Sequence, residues 1–386
     1  MKTRHYLILI AMALITSACE RTLDFVNTQE EQDNDMTLDA IVVEGEPLAV
    51  YLSQALPVGK STGSSYYDYN KRSFVRGGFL MDYQSNENYQ KNKLSTAKVF
   101  ATLNGQEQHE LMWSYEMNCF VSDFVLKPQD RIEVLASTGT PNYDPNETGL
   151  VGLGYGPYKE VRAETILPTK PKIEILNYEL IDENPNKYQG TLIFDTDTIM
   201  RLTCRISDTG GEKYYRLRVR SERCIVTKKP ASLYFEDGEW KQKASHYYIM
   251  QDIFFSSDDL FTDSRLTSNF GGWPAFFSNV FDNSLMQGRD DTFTVDSPLV
   301  PDHATGGINT SEQKDGLPEQ YTPPRVMVEL QAISREMYLY LKSLQLYQVS
   351  SNDIYAEPMQ IYSNVQNGWG IFCALSYDRH FVEYGE

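Results

Sequence analysis

The stretch Ala97-Lys-Val-Phe-Ala-Thr-Leu103, Asn104-Gly105, and then His109-Glu-Leu-Met-Trp113 decides the fold class. Its first part alternates apolar and polar side chains at period two, the mark of a strand with one face buried. Asn-Gly is the dipeptide that tolerates positive φ at both central turn positions, so the two runs read as a β-hairpin. Working outward, Leu38-Asp-Ala-Ile-Val-Val43 and Pro47-Leu-Ala-Val-Tyr-Leu-Ser53 form a second pair turning at Glu44-Gly-Glu46. Cys119–Val125 and Arg131–Ala136 add two strands, joined at Lys127-Pro-Gln-Asp130. Short strands with turn chemistry between them predict a mainly β protein opening with an Ig-like or transthyretin-like β-sandwich, over residues 39–168.

Pro168-Thr-Lys-Pro171 marks the boundary to a larger β-rich domain, residues 169–386. Its strands are expected at 173–180, 189–195, 200–207 and 213–226. Tyr214-Tyr-Arg-Leu-Arg-Val-Arg220 places Arg216, Arg218 and Arg220 on one face, read as a solvated row paired with Glu or Asp. Asp208-Thr-Gly-Gly211 is read as the turn of a hairpin that sets Cys204 opposite Tyr215 or Arg216, away from Cys224. The four cysteines after Cys19 are therefore expected as buried free thiols. One helix is expected over Arg335–Leu346, capped by Ser334, with Met337, Leu341 and Leu344 as its packed stripe.

The chain carries 35 Lys and Arg against 53 Asp and Glu, a net charge of −18 over 386 residues. Such a balance repels phosphate backbones, so nucleic acid is excluded as an expected partner. At the N-terminus, Lys2 and Arg4 precede the ten-residue apolar run Tyr6–Ile15. That is half the roughly 20 residues a membrane-spanning helix needs, and it matches the core of a signal peptide, residues 1–18. Thr16-Ser-Ala18 before Cys19 resembles the bacterial lipobox. The expectation is cleavage between Ala18 and Cys19, with acyl chains on the Cys19 thiol anchoring the chain to a membrane. Residues 19–38, with Glu30-Glu-Gln-Asp-Asn-Asp35, read as a tether that buries too little apolar surface to order itself.

No catalytic or cofactor motif emerges. His109, His246, His303 and His380 never fall three to five residues apart, and Asp195-Thr-Asp197 lacks the rest of a calcium loop. Gly152–Gly156 lacks the flanking strand and helix of a nucleotide loop. No metal, cofactor or catalysis is expected. Binding surfaces fare better. The segment between residues 55 and 97 holds Tyr66, Tyr67 and Tyr69 among Ser, Asn and Gly, a composition suited to contact surfaces, or to a floppy insertion. Trp273, Phe276 and Phe277 stand beside Gly271-Gly272, placed either to cover a ligand or to fill the core beneath a loop.

The C-terminal half resembles one family. Ser278-Asn-Val-Phe-Asp-Asn-Ser-Leu-Met-Gln-Gly288, Thr292–Val295, Val328–Lys342 and Ala356-Glu-Pro-Met-Gln-Ile-Tyr-Ser-Asn-Val-Gln-Asn-Gly-Trp-Gly-Ile-Phe372 carry the likeness. They are similar to the domain of unknown function 4249 family, cell-envelope lipoproteins of Bacteroidota. Residue by residue, Asn367-Gly368 reads as a positive-φ turn, Gly370 as a close approach, and Ile371–Leu375 as a buried final strand. The resemblance implies an outer-membrane, cell-surface lipoprotein that is accessory to a TonB-dependent receptor and captures a nutrient such as a glycan, peptide or metal complex. The alternatives are an envelope hydrolase acting on glycans or peptides, and an adhesion or matrix component.

Overall fold

The computed structural model describes residues 36–54, 74–76, 79–81, 92–139, 158–183, 198–207, 213–227, 233–236, 239–242, 245–251, 254–256, 258, 260–261, 279–286, 292–299, 311–313, 324–351 and 360–384. Twenty-one strands and one long helix make the described part mainly β. The Asn104-Gly105 hairpin forms as read. Strands β5 (Lys98–Leu103) and β6 (Glu107–Glu110) pair antiparallel, with φ of 53° at Asn104 and 72° at Gly105. The chain then turns a corner at buried Leu111, whose N–H bonds to Val99 O at 2.8 Å. The next strand, β7 (Met112–Ser114), joins a different sheet.

That sheet is the frame of the molecule. Its order begins with β19 (Ser311–Gln313), β16 (Ser245–Gln251), β13 (Tyr214–Thr227), β20 (Arg325–Ile333) and β21 (Gly368–Glu383). It continues with β1 (Met36–Val43), β2 (Pro47–Gln54), β8 (Cys119–Val125) and β7, while β17 (Val280–Asp282) also pairs with β13. The first described strand lies parallel to the last, Met36 opposite Gly368 and Val43 opposite Leu375. The boundary at 168–171 thus falls between β10 (Lys159–Ile166) and β11 (Ile173–Ile181), yet both halves share one sheet. Because β1 starts at Met36, residues 36–38 belong to the body instead of the tether.

Two small sheets cover one face, side by side. The first is ordered β10, β9 (Arg131–Thr138), β5, β6; the second is β11, β12 (Ile199–Ile206), β18 (Thr292–Pro298). Strand alternation explains the arrangement. On β21, Phe372 and Ala374 join the core under the first small sheet, with Leu38, Val50, Val99, Ile132 and Val161. Val382, at the same parity, joins the core under the second, with Leu202, Val219, Phe293 and Val328. Two further pairs stand apart, β3 (Phe74–Arg76) with β4 (Phe79–Met81) and β14 (Leu233–Glu236) with β15 (Glu239–Gln242).

Helix α1 (Arg335–Ser351) packs on the opposite face through Met337 and Leu341, which meet Ile41, Val43, Cys373 and Leu375. Burying those two side chains contributes about 1.5–3 kcal/mol each. Ser334 caps the helix as expected, its Oγ accepting from Met337 N–H at 3.4 Å. The same Oγ accepts from Ala374 N–H at 3.2 Å, and Ser334 N–H donates to Ala374 O at 2.8 Å. The cap therefore also continues the β20–β21 ladder.

Two local expectations are corrected. Strand β12 pairs with β11 and β18, and β13 with β16, β17 and β20, so Asp208–Gly211 does not close a hairpin between β12 and β13. The Lys127–Asp130 turn likewise joins strands of two different sheets, with φ of 74° at Gln129. The Lys127–Asp130 turn is read correctly as a reversal, Asp130 N–H bonding to Lys127 O at 3.1 Å, while residues 208–211 lie outside the described part; in both places the strand partners are set by burial demands far along the chain. Cys119, Cys204 and Cys373 are buried free thiols. Burial pushes the Cys204 thiol from its ordinary value near 9 up to about 12, because the thiolate would lose its hydration, and pushes Cys373 higher still.

The closing motif is structural. Asn364 presents its side-chain amide to β21 as a strand would, Oδ1 accepting from Phe372 N–H at 2.9 Å and Nδ2 donating to Phe372 O at 2.8 Å. Asn367 has φ of 59° and Gly370 has φ of 109°. A Cβ on Gly370 would lie 2.1 Å from Leu38 O, so the parallel β1–β21 pairing needs glycine there. We expect Gly370→Ala to cost about 2–4 kcal/mol, from φ strain plus the clash, read as a lowered urea midpoint; an unchanged midpoint would contradict this account of the motif. Peptide mapping after iodoacetamide at pH 8 should find Cys204 and Cys373 unlabelled until the chain is unfolded. Between pH 9 and about 12 the unfolded chain releases the Cys204 proton that the folded chain keeps, so stability should fall as pH rises through that window.

Candidate functional site

Past Leu375, β21 loses β1 as a neighbour: the chain reverses at Gly45, and Glu44 N–H makes the last bond, to Leu375 O at 3.2 Å. Above this vacated edge lies β11, the outer strand of its sheet. Between them runs an open groove of about 1110 Å³, lined by residues 170–178 and by Asp378, His380, Phe381 and Val382. Asp378 ties the two layers, its Oδ2 accepting from Ile173 N–H at 3.0 Å. The His380 Nε2 lies 3.3 Å from the same oxygen.

The groove exposes what should be core. Cross-strand partners share a face, and Tyr178 and Leu180 stand opposite Leu202 and Met200, both wholly buried. Yet Tyr178 is 52% exposed and Leu180 50%. A bulge at Leu176 interrupts the β11–β12 ladder, and the residues of β11 after it are exposed as far as Leu180. Phe381, 44% exposed, carries the Arg325 guanidinium 4.0 Å above its ring.

On the other face of the large sheet lies a cross-strand ladder of charge. Arg218, Glu329 and Arg379 are in register across β13, β20 and β21. Glu329 is wholly buried and accepts from Arg218 Nη1 at 3.1 Å, Gln331 Nε2 at 2.7 Å and Arg379 Nε at 2.5 Å. Glu222, also buried, accepts from Arg220 Nη2 and from Arg325 Nε at 2.8 Å. Arg218 and Arg220 are therefore paired with glutamates as expected, while Arg216 donates to Gln331, but the row is not solvated: Arg216 and Arg218 are buried at 5% and 4% exposure. Alternation alone reads the same for a wet polar face and a covered one. These carboxylates are committed to guanidinium groups, an arrangement that fixes register.

None of the residues singled out from sequence for binding or lipidation lies in the described part. Ala18, Cys19, Tyr66, Tyr67, Tyr69, Trp273, Phe276 and Phe277 all fall outside it. The described residues that flank residues 1–35 and 55–73 are Met36 and Gln54, which pair with each other. The Trp273 segment is bounded by Phe261 and Asn279, both buried beside β13 or its core. Among the described residues no three His, Cys, Asp or Glu side chains gather as a metal site would require, and no helix is long and apolar enough to cross a membrane.

Fold and groove together define a layered β-protein in which, among the described residues, β21 has no strand beside it past Leu375. The chain belongs to the family described as Domain of unknown function (DUF4249), whose model matches residues 155–380. That span contains the charge ladder, α1, the closing motif and all of the groove lining except Phe381 and Val382. No curated protein matches the chain. A crystal structure of a presumed membrane anchored protein from Corynebacterium diphtheriae aligns over 78% of this chain and 55% of that one, at 9% identity and a TM-score of 0.18. Replacing Glu329 by Gln would strand Arg218 and Arg379 beside a neutral amide. The expected loss is about 3–5 kcal/mol, measured by denaturant unfolding, against less than about 1 kcal/mol for the exposed pair at Arg131–Glu164.

Proposed function

We propose that the chain is a lipid-anchored outer-membrane protein, exposed on the cell surface, that captures a nutrient or serves as accessory subunit for a TonB-dependent transporter. The observation that carries this reading is Ala18-Cys19 closing a charged-then-apolar leader. Sixteen residues lie between Cys19 and Met36, a span of at most roughly 60 Å, so the body works close to the membrane that holds it. The pairing of Met36 with Gln54 adds a direction: the Tyr66–Tyr69 segment leaves the body where the tether arrives. Tyrosines rooted there are suited to meet a membrane-embedded partner, since they offer large amphipathic contact at low entropy cost.

Tagged protein recovered from native membranes after crosslinking should bring down a TonB-dependent receptor and should incorporate labelled palmitate. Cys19→Ser should abolish the label and release the chain in soluble form. Palmitate failing to join the wild-type chain would end the anchoring claim, and repeated recovery without a receptor would end the partner claim.

A further inference from the structure

The open edge of β21 has a defined hydrogen-bonding phase. Ser334 exchanges bonds with Ala374 on the β20 side, so even-numbered residues of β21 face β20. The N–H and C=O groups of Tyr377, Arg379 and Phe381 therefore point the other way, into the space that β1 vacates after Leu375. Three such residues in a row form a template for one more strand. Side chains of that strand would alternate between two surroundings. One set would rise toward β11, against Ile175, Leu176 and Tyr178. The other would lie on the ladder face beside Tyr377, Arg379 and Phe381.

The charges on that face specify the second set. Across β13, β20 and β21 the sequence of charge is Arg218, Glu329, Arg379, and Arg379 keeps 36% of its side chain exposed at the open end. The next rung calls for a carboxylate. Of the other charges lining the groove, Lys172 is paired with Glu174 at 3.0 Å and His380 lies 3.3 Å from Asp378, so Arg379 sets the sign at this rung. We propose that the groove is a strand-addition site that takes an extended polypeptide segment of a partner protein, apolar at alternate positions and acidic between them. The inference stands on the described residues alone and is independent of the lipid anchor.

The chain's own Leu23-Asp-Phe25 has that pattern, but it is joined to Met36, which lies beside Gly368. Arg379 is eleven residues farther along β21, roughly 36 Å. The twelve residue-to-residue steps from Asp24 to Met36 span at most roughly 42 Å, so reaching Arg379 would use nearly all of that length. A segment supplied from outside meets no such constraint.

The test uses the mature chain carrying Cys19→Ser, with a fluorescein-labelled peptide Thr-Leu-Asp-Phe-Asp-Leu-Thr as probe and anisotropy as readout. Saturable binding is expected, weakened about tenfold when both Asp are replaced by Lys, and lost when Pro replaces Phe. Tyr178→Glu places a charge on the apolar wall and should weaken binding about tenfold with the melting temperature unchanged. Phe381→Pro removes one outward N–H and should do the same. The proposal is overturned by no saturation up to about 1 mM peptide, or by equal binding of the Asp, Lys and Pro peptides. It is also overturned if binding appears only after residues 20–35 are deleted, since the chain's own segment would then be the occupant. A concentration-dependent dimer abolished by Tyr178→Glu would assign the edge to a second copy instead.

Discussion

The parallel pairing of β1 with β21 is the constraint on which the other parts depend. A parallel ladder must be approached closely along its whole length, and here it passes a point where only glycine fits, at Gly370 under Leu38 O. Once that pairing is fixed, β21 serves two halves of the protein at once. Its first half floors the sandwich with β5, β9 and β10; its second half floors the layer with β11, β12 and β18. Asn364 and Ser334 complete the remaining backbone groups of Phe372 and Ala374, where neither neighbouring strand reaches. The helix is then oriented by its cap, since one hydroxyl serves both ladder and helix.

The charge ladder has a different role. Burying guanidinium and carboxylate groups costs several kcal/mol per ion before their mutual attraction offsets it, so such a network adds little stability relative to a well-packed apolar face. What it supplies is registry. A one-residue slip of β20 against β13 would set Glu329 beside an apolar residue and leave Arg218 without its carboxylate. In sheets this wide, where apolar side chains of similar size would tolerate a slip, that penalty selects one alignment. The same logic makes the exposed end at Arg379 informative, because an alternating series shows which sign would come next.

Much of the fold was legible because its signals are local. Asn104-Gly105, Gly45, Ser334 and Asn367 each act through one turn or one cap, and each does in the structure what its chemistry dictates. Partner choice was not legible. Glu160–Ile166 alternates Val161, Ala163 and Thr165 inward as plainly as β5 does, yet β10 went unmarked beside the glycines of 152–156. The β12–β13 hairpin failed because sequence adjacency says nothing about which of several strand edges offers more burial. The groove was invisible for the same reason: it exists where β1 ends relative to β21, a long-range fact. A trace was present in Ile173-Glu-Ile-Leu-Asn-Tyr-Glu-Leu-Ile181, where Ile175-Leu176 breaks strict alternation, as the bulge requires.

The pairing of first strand with last also sets the order in which the molecule can be made. As the polypeptide emerges from its N-terminal end, β1 and β2 can associate at once, but the lateral neighbour of β1 is not yet synthesised. For more than three hundred residues β1 presents a bare flank, and the cores on both sides of it stay unsealed. Completion waits on residues 368–375, so loss of that stretch would strand the earliest-made part in an adhesive, half-paired state.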